Sequence, residues 1–286
     1  MSNSAVRADL HSHSTASDGT TRPADVMARA AAAGLDAIAL TDHDTTGGHA
    51  AAAAALPPGL TLIPGMELSC RQDGHSVHLL AYLFDPAAAE LAGEMAAIRS
   101  SRLDRARAMV ARLDELGTPV TWEQVTRIAD GGVIGRPHIA RALAEAGVVA
   151  TPAEAFSRDW IGPGGRAHVS RYALDPARAV ALVRGAGGVS VLAHPRGESR
   201  GWQIPDEVIA GMAAAGLTGI EVDHPQQDRA RRERLRALAA DLDLIPSGGS
   251  DDHGELTGFR IGAETAPGDS AERLIGLATG AAPVGG

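Results

Sequence analysis

The sequence alternates short apolar runs with alanine-rich segments, and this alternation constrains the fold more than any other feature. Seven runs have the character of strands: VRADLHSH, DAIALTDHD, LTLIPGMELS, SVHLLAYLF, GVSVLAHPR, LTGIEVDHP and LIPSGGSDD. Helical patterns lie between most of them, at Pro23–Ala33, Asp175–Gly187, Asp206–Gly216 and Gln227–Leu242. Several begin with proline and end near glycine, as helices commonly do. The alternation predicts a mainly parallel sheet covered by helices, closed or nearly closed into a barrel.

One segment interrupts this alternation. From Pro86 to Arg166 the sequence contains no strand pattern, and AAELAGEMAAIRSSRLDRARAMVARLDELG predicts one long amphipathic helix or a bent pair. Shorter helical patterns follow it, in TWEQVTRIA, RPHIARALAEAGV and TPAEAFSRDWI. We therefore expect a helical insertion at residues 86–166, and a barrel formed by residues 1–85 and 167–286.

Imidazole and carboxylate side chains follow the predicted strands. In barrels of parallel strands, reactive groups gather at the carboxyl ends of the strands. Six of the eleven histidines fall at or near this rim, and two carboxylates accompany them. These residues are His11, His13, His43, Glu67, His78, His194, Asp251 and His253. If Leu10–Ser14 is the end of a strand, the HSH spacing places His11 and His13 on one face, because side chains alternate between the two faces.

This combination of side chains favours metal binding. Imidazole nitrogens and carboxylate oxygens together suit divalent manganese, iron or zinc. One carboxylate can bridge two ions ~3.5–4 Å apart, and such a pair activates water and stabilises phosphoryl displacement. The sequence has no phosphate-binding P-loop, no G-x-S-x-G nucleophile motif and no strand followed by G-x-G-x-x-G. A metal-dependent reaction is therefore the chemistry that the residues predict.

Charge and composition narrow the class of partner. The formal net charge of −9 argues against a protein that coats DNA through a general basic surface, so we expect no stable DNA binding. No apolar run approaches the ~18–20 residues that span a bilayer, and the amino terminus lacks the apolar stretch of a signal peptide. The single cysteine, Cys70, excludes an intramolecular disulfide and suits a reducing compartment. We expect a cytoplasmic protein without membrane association.

Six motifs occur in an order that resembles a known family. DLHSHSTASDG, TDHD, GMELS, HLLAY, LAHP and SDDHG are similar to the ordered motifs of the polymerase and histidinol phosphatase (PHP) family. The resemblance covers nearly the whole chain. It implies an α/β fold, a distorted (β/α)7 barrel that holds two or three divalent ions, with the helical insertion covering the active site.

The resemblance also implies a metal assignment for nine positions. The three sets are His11, His13, Glu67 and Asp251 for a first ion, Glu67, His78 and His194 for a second, and Asp18, His43 and His253 for a third. Manganese is the expected metal, with iron or zinc as alternatives because they share these ligands. A hydroxide between the first two ions would attack phosphorus, and His253 or Asp18 would help the leaving alkoxide.

The inserted segment resembles one branch of the family. IGRPHIARALAEAGVVATPAEAFSRDWIGPGGRAHV is similar to the insertion of nucleoside 3′,5′-bisphosphate phosphatases, a branch that includes enzymes trimming RNA from a 5′-monophosphate end. By that comparison Arg136 and His138 would contact substrate phosphates, with helix capping near Pro137 as the alternative. Arg196 is a further candidate, because a guanidinium binds phosphate through two parallel hydrogen bonds.

The sequence thus predicts a phosphomonoesterase that removes the 3′-phosphate of a nucleoside 3′,5′-bisphosphate such as pAp. The expected partner is a small phosphorylated nucleotide or a short RNA end. Three alternatives stay open: a 5′→3′ exoribonuclease on short 5′-monophosphorylated RNA, a histidinol-phosphate phosphatase, and a non-catalytic metal-binding module. Their discrimination depends on which phosphate ester is hydrolysed, if any.

Several other polar residues lie close to the predicted rim. Asp42, Asp44 and Asp252 flank candidate ligands, and we expect them to orient the imidazoles by hydrogen bonds. For Asp44 the alternative role is the N-cap of the next helix. His224 follows a strand and is either a substrate-side residue or part of a surface turn. Arg171 is interpreted as a surface charge.

Overall fold

Seven strands form one sheet whose spatial order follows their order along the chain. The structure is a computed structural model and describes residues 6–197 and 202–286. The strands are β1 (Ala8–Asp9), β2 (Ala37–Leu40), β3 (Thr61–Gln72), β4 (His75–Tyr82), β5 (Val189–Leu192), β6 (Gly219–Asp223) and β7 (Ile245–Gly248). The pairs β1–β2, β2–β3, β5–β6 and β6–β7 are parallel, in agreement with the predicted alternation.

The fourth strand runs against both of its neighbours. β3 and β4 form an antiparallel hairpin, and β4 is also antiparallel to β5. Only Asp73 and Gly74 connect the hairpin, and both have positive φ, at 49° and 83°. Two residues with positive φ form the tight turn that matches the twist of paired strands. The hairpin brings His78 opposite Ser69, so the first half of β4 lies at the rim where β3 ends.

The two ends of the sheet meet, as the barrel prediction requires. The chain after β1 pairs with the end of β7 and with the residues that follow it: Leu10 N–H donates to Gly248 O at 3.2 Å, and Asp251 N–H donates to His11 O at 2.8 Å. His13 N–H donates to Asp252 O at 2.9 Å. These bonds join the segments that carry four of the nine predicted ligands. A short strand β8 (Val284–Gly285) pairs antiparallel with the start of β3.

Nine α-helices in the described residues cover the sheet and fill the insertion. They are α1 (Pro23–Ala32), α2 (His49–Ala54), α3 (Ala89–Glu115), α4 (Trp122–Ala129), α5 (Arg136–Glu145), α6 (Pro176–Gly185), α7 (Asp206–Ala214), α8 (Arg229–Asp241) and α9 (Ser270–Leu277). The four helices predicted around the barrel lie within about two residues of their expected bounds. Asp175 caps α6 and Asp228 caps α8, each accepting a backbone N–H at the third position of the helix. None of the helices in the described part of the chain is long and apolar enough to cross a membrane.

Residues 86–166, all of which the structure describes, contain no strand. The long pattern is one continuous helix, α3, and it joins two separate apolar cores. Leu91, Met95 and Ile98 in its first half belong to the core of the barrel. Met109 and Leu113 in its second half belong to a core shared with α4 and α5. The segment between these halves faces the rim, where the polar residues gather.

Candidate metal centre

The structure brings all nine predicted ligands to one end of the barrel. Their donor atoms fall into overlapping groups whose members lie within 4.8 Å of one another. The groups are His11, His13, Glu67 and Asp251; His43, Glu67 and His78; His13, Asp18, His43 and His253; and His11, His194 and Glu221. Three of the four groups contain only positions predicted from the sequence.

Glu67 lies at the centre of the cluster and presents its two oxygens to different imidazoles. Oε2 lies 3.2 Å from His13 Nε2, 3.4 Å from His11 Nε2 and 3.2 Å from His43 Nδ1. Oε1 lies 2.6 Å from His78 Nδ1 and 3.1 Å from His194 Nε2. One carboxylate therefore faces two sets of nitrogen donors on its two sides, as a bridging ligand must.

Asp251 and Asp18 complete two further faces of the cluster. Asp251 Oδ1 lies 3.3 Å from His11 Nε2 and 3.4 Å from His13 Nε2. Asp18 Oδ1 lies 3.5 Å from His253 Nε2, and its Oδ2 lies 3.7 Å from His43 Nε2. The two carboxylates thus stand on opposite sides of His13, whose ring stacks on that of His253 with centroids 4.0 Å apart.

The donor atoms fit cations better than they fit one another. His11 Nε2 and His13 Nε2 face each other at 3.2 Å, and both also face Glu67 and Asp251. A ring nitrogen either donates or accepts, so a set of lone pairs this close is not satisfied by protons alone. Among the described residues, the buried His13 Nδ1 and His43 Nδ1 make no hydrogen bond. Nitrogen and carboxylate donors in this mixture suit divalent transition ions.

The electrostatics keep the carboxylates ionised. Burial alone would raise the pKa of Glu67, but His43, His78 and His11 outweigh it and hold the pKa well below its usual range. The same balance holds for Asp251, where burial is opposed chiefly by His11 and His253, and its pKa is also well below the usual range. Each side chain therefore carries a negative charge at neutral pH, which a bound cation would neutralise.

Two of the cluster residues have unusual backbone conformations. His194 has φ of 30° and Asp251 has φ of 50°, values that residues with side chains rarely adopt. Such strain persists where the surrounding structure imposes it, and it is common at functional sites. The turn before Asp251 also passes close to His11, since a Cβ on Gly249 would lie 2.5 Å from the Cβ of His11. Any larger residue at Gly249 would displace the first histidine.

The structure adds Glu221 to the cluster, a residue that the sequence analysis missed. Glu221 lies on β6 and is fully buried. Its Oε1 is 3.0 Å from His11 Nδ1, and its Oε2 accepts the backbone N–H of His194 at 2.7 Å. Because the carboxylate accepts from Nδ1, His11 is left with its Nε2 lone pair directed toward Glu67 and Asp251. The available signal was a charged residue in the middle of the apolar run LTGIEVDHP.

His224 supports Asp251 and is not part of a surface turn. The ring is fully buried, and its Nδ1 accepts the backbone N–H of Gln226 at 3.1 Å. The proton of the neutral ring is therefore on Nε2, which donates to Asp251 Oδ2 at 3.2 Å. This hydrogen bond leaves Oδ1 of Asp251 facing the histidine pair.

Three flanking aspartates bind backbone N–H groups and polar side chains near the rim, and the expectation that they orient imidazoles is corrected. Asp42 accepts from the backbone N–H and the hydroxyl of Ser14, at 2.8 and 2.6 Å. Asp252 accepts the backbone N–H groups of Gly254 and Arg260. Asp44 pairs with Arg102 and accepts Ser69 N–H at 2.7 Å. These backbone N–H groups have no partner in the sheet, and the three carboxylates satisfy them.

The three predicted phosphate-binding residues differ in their surroundings. His138 is buried on α5, and its Nδ1 accepts Gly135 N–H at 2.9 Å, which is the capping role given as the alternative. Arg136 begins the same helix and lies over the ring of Phe156, with Cζ 5.4 Å from its centroid. The structure does not bring the guanidinium of Arg196 to the cluster, because it binds Asp206 and the carbonyl of Ile204.

Comparison with known proteins identifies the family. A model of the PHP domain matches residues 9–117. The 3′,5′-nucleoside bisphosphate phosphatase of Chromobacterium violaceum is 38% identical over 254 residues, which cover 88% of this chain and 89% of that protein. The 5′-3′ exoribonuclease of Haemophilus influenzae is 34% identical over 246 residues, which cover 86% and 89%. A solved structure from Bifidobacterium adolescentis, described as a metal-dependent phosphoesterase, superimposes with a TM-score of 0.88 at 34% identity, covering 95% of this chain and 96% of that one. With its motifs, its barrel and these relatives in agreement, the chain belongs to the PHP family.

Proposed function

We propose that the protein is a metal-dependent phosphomonoesterase that removes the 3′-phosphate of nucleoside 3′,5′-bisphosphates such as pAp, leaving the nucleoside 5′-monophosphate and phosphate. The observation that carries the proposal is Glu67, whose two oxygens face two different sets of imidazoles. Two adjacent divalent ions are the arrangement that in-line phosphoryl displacement uses. The relative with 38% identity is named for this activity.

In this proposal the nine residues hold two or three ions, with manganese as the expected metal. His11, His13 and Asp251 would complete a first site with Glu67, and His78 and His194 a second. When bound, the ions supply an activated water and neutralise the phosphoryl oxygens. Asp18, His43 and His253 would form the third site.

The chain's own groups would orient the reaction. Glu221 keeps the Nδ1 proton on His11, and His224 fixes the carboxylate of Asp251, so neither donor rotates out of position. His253 Nδ1 lies 3.1 Å from the carbonyl oxygen of Asp251, which can only accept, so its Nε2 is directed toward Asp18. Where no third ion is bound, His253 would deliver from Nε2 the proton that the leaving 3′-alkoxide needs, and the ionised Asp18 would help by holding that N–H in position.

The proposal also includes the position of the insertion and the setting of the reaction. Residues 1–85 and 167–286 would form the catalytic barrel, and residues 86–166 would cover its rim and present Arg136 and His138 to the substrate. The contact between Arg102 on α3 and Asp44 beside His43 supports this placement. A nucleotide substrate and a buried, unpaired Cys70 support a cytoplasmic location. The side chain of Arg196 would have to leave Asp206 to reach a phosphate at this rim.

A 5′→3′ exoribonuclease is the second candidate. A relative with 34% identity carries that name, and its match covers 86% of this chain. Both reactions break a bond at the 3′-oxygen of a nucleotide that carries a 5′-phosphate, so one site serves either substrate. The difference lies in whether a further nucleotide follows the scissile phosphate.

The test measures phosphate release from pAp with Mn²⁺ present, in parallel with a 5′-labelled oligoribonucleotide and with histidinol phosphate. Turnover of pAp in preference to the other two supports the proposal. Stepwise release of mononucleotides at a higher kcat/KM would establish the exoribonuclease in its place. No hydrolysis of any of the three, together with no metal retained after purification, would favour a non-catalytic module.

A further inference from the structure

Four arginines converge beside the metal cluster, on the side of the insertion. Arg102 and Arg105 lie on α3, Arg136 begins α5, and Arg171 precedes α6. They are close enough that Arg102, Arg171 and Arg136 all act electrostatically on Arg105. Like charges repel, so negative charge close to the arginines offsets an unfavourable interaction, and Asp44 supplies part of it.

Arg102 has such a partner within the protein. Its Nε donates to Asp44 Oδ2, and its Nη2 donates to Ser69 Oγ at 2.7 Å. Asp44 directly follows His43, so this ion pair joins the arginine group to the metal cluster. Arg102 also lies against the turn that starts α5, since its Nη1 would be 3.4 Å from a Cβ on Gly135.

Arg105 has none. Only 8% of the surface of Arg105 is exposed to solvent, and its Nε makes no hydrogen bond among the described residues. No carboxylate in residues 6–197 and 202–286 lies within ion-pair distance of it. Burial, reinforced by Arg102, Arg171 and Arg136, lowers its pKa to about 8. A guanidinium holds its proton far more strongly than other bases, so an anion relieves this position more readily than loss of the proton does.

Arg171 also lacks a carboxylate partner among the described residues. Its partial burial corrects the interpretation of this residue as a surface charge. It is half-buried, and its Nη1 donates to a backbone carbonyl, that of Tyr172, at 3.1 Å. Burial and the neighbouring Arg102 lower its pKa to about 10. Arg171 and Arg136 are partly exposed, so these two members of the group can be reached from solvent.

We infer that Arg105 and Arg171, with Arg136 beside them, form a second anion site that binds the phosphate of the substrate that is not hydrolysed. This inference rests on the proposed function: with the 3′-phosphate at the metal cluster, the 5′-phosphate of the same nucleotide is the anion that the arginines take. Guanidinium groups bind phosphate through charge-assisted, geometrically specific hydrogen bonds. The site would make the enzyme selective for a nucleotide with phosphate at both positions.

The kinetic test compares two substrates that differ by one phosphate. Wild-type protein, Arg105→Met and Arg171→Met are assayed on pAp and on 3′-AMP, which lacks the 5′-phosphate. We expect the variants to lower kcat/KM for pAp by about ten- to hundredfold, mostly through KM, because each loses a hydrogen bond to a charged group. The value for 3′-AMP should change little. Equal losses on both substrates, or no loss on pAp, would overturn the inference.

Arg127→Met is the matched control. Arg127 lies on α4 within the insertion, its side chain is 64% exposed, and it pairs with Glu145 away from the arginine group. This variant should have wild-type kcat/KM values for both pAp and 3′-AMP. Circular dichroism and thermal unfolding verify that the Arg105 and Arg171 variants fold, and Arg171, being half-buried, is the variant less dependent on core packing.

A binding measurement separates this inference from the proposed function. Calorimetry on metal-free wild-type protein compares AMP with adenosine, and the same titrations are repeated with Arg105→Met. Tighter binding of AMP than of adenosine, lost in the variant, supports the anion site even if pAp is not hydrolysed. Equal binding of the two ligands by wild-type protein would refute the site even if pAp is hydrolysed.

Discussion

At the scale of single residues, the metal cluster depends most on Glu67. Replacing it by glutamine keeps the shape of the side chain but removes the charge that faces five imidazoles. We expect Glu67→Gln to lose both of the ions it would bridge and to lower kcat by at least about a hundredfold, since each ion contributes several kcal/mol to charge stabilisation. Metal content by mass spectrometry and turnover of pAp measure the two effects. Glu145 is an exposed carboxylate on α5, and as the control the Glu145→Gln variant should retain metal and activity.

Glu221 has a different role, because it positions His11. We expect Glu221→Gln to weaken metal binding about 10–100-fold, as is usual when the hydrogen-bond partner of a ligating histidine is changed. Excess Mn²⁺ should restore much of the activity, in contrast to Glu67→Gln. Titration of the metal-free protein with Mn²⁺ gives the affinity directly. An affinity equal to that of wild type would show that His11 is oriented without Glu221. Glu233→Gln, which changes an exposed carboxylate on α8, is the control and should leave the metal affinity unchanged.

The residues that the sequence revealed and those it missed differ in one respect. His11, His43 and His194 each follow an apolar strand, so the barrel topology alone predicts that they meet. Glu221 lies within a strand and His224 beyond one, and their roles depend on which side chains stand across the barrel. The sequence predicts a surface position for Arg171, because a lone arginine in a polar segment carries no sign of burial. Contacts between distant segments decide these three cases, and a linear pattern does not contain them.

At the scale of elements, the ion pair between Asp44 and Arg102 fastens α3 to the end of β2. Both side chains are buried, so removing one partner leaves an uncompensated charge. We expect Arg102→Met to lower the free energy of unfolding by about 3–5 kcal/mol. Urea denaturation measures it, and Arg127→Met, which breaks an exposed pair with Glu145, should cost no more than about 1 kcal/mol. Equal costs for the two variants would contradict a fastening role.

The stability of the protein depends on pH through His138, which caps the amino terminus of helix α5. His138 accepts Gly135 N–H through Nδ1, which requires a neutral ring, and burial lowers its pKa from 6.5. The ring therefore binds a proton more readily in the unfolded state than in the folded state. Its contribution to the free energy of unfolding is fully present above pH 6.5 and is lost as pH falls below that value. His138→Gln can cap without titrating. Between pH 6.5 and 5 we expect wild-type protein to lose more stability than this variant, as measured by urea unfolding at each pH. Parallel losses in the two proteins would rule out a contribution from this ring.

The elements themselves were largely predictable, with one informative exception. Proline near the start and glycine near the end located α1, α6 and α7 closely, because these residues act on the local backbone. The direction of β4 was not foreseen, although Asp73 and Gly74 form the kind of pair that closes a two-residue hairpin. The alternation of strands and helices predicts parallel neighbours, and it gives no indication that one tight turn reverses the chain between β3 and β4. That turn is what brings His78 to the rim.

At the scale of the whole molecule, the metal cluster joins segments that lie far apart in the chain. His11, His194 and Asp251 follow three different strands and Glu67 lies within a fourth, so two imidazoles and two like-charged carboxylates meet in one buried cluster. Ions bound there would hold the two ends of the barrel together. Their free energy of binding would then be part of the stability of the fold, because the unfolded chain does not assemble the same site.

Metal removal therefore has a calculable effect. At a free metal concentration 100 times the dissociation constant, binding at one site adds about 2.7 kcal/mol. For a chain of this size 1 kcal/mol corresponds to roughly 2–4 °C in Tm, so treatment with a chelator should lower Tm by about 5–10 °C. Differential scanning calorimetry before chelation, after it, and after return of Mn²⁺ measures the shift. Glu67→Gln should melt near the chelated wild type and respond little to either treatment. If chelation leaves the Tm of the wild type unchanged while activity is lost, the ions act in catalysis without bracing the barrel, and the closure between β1 and β7 rests on its backbone hydrogen bonds alone.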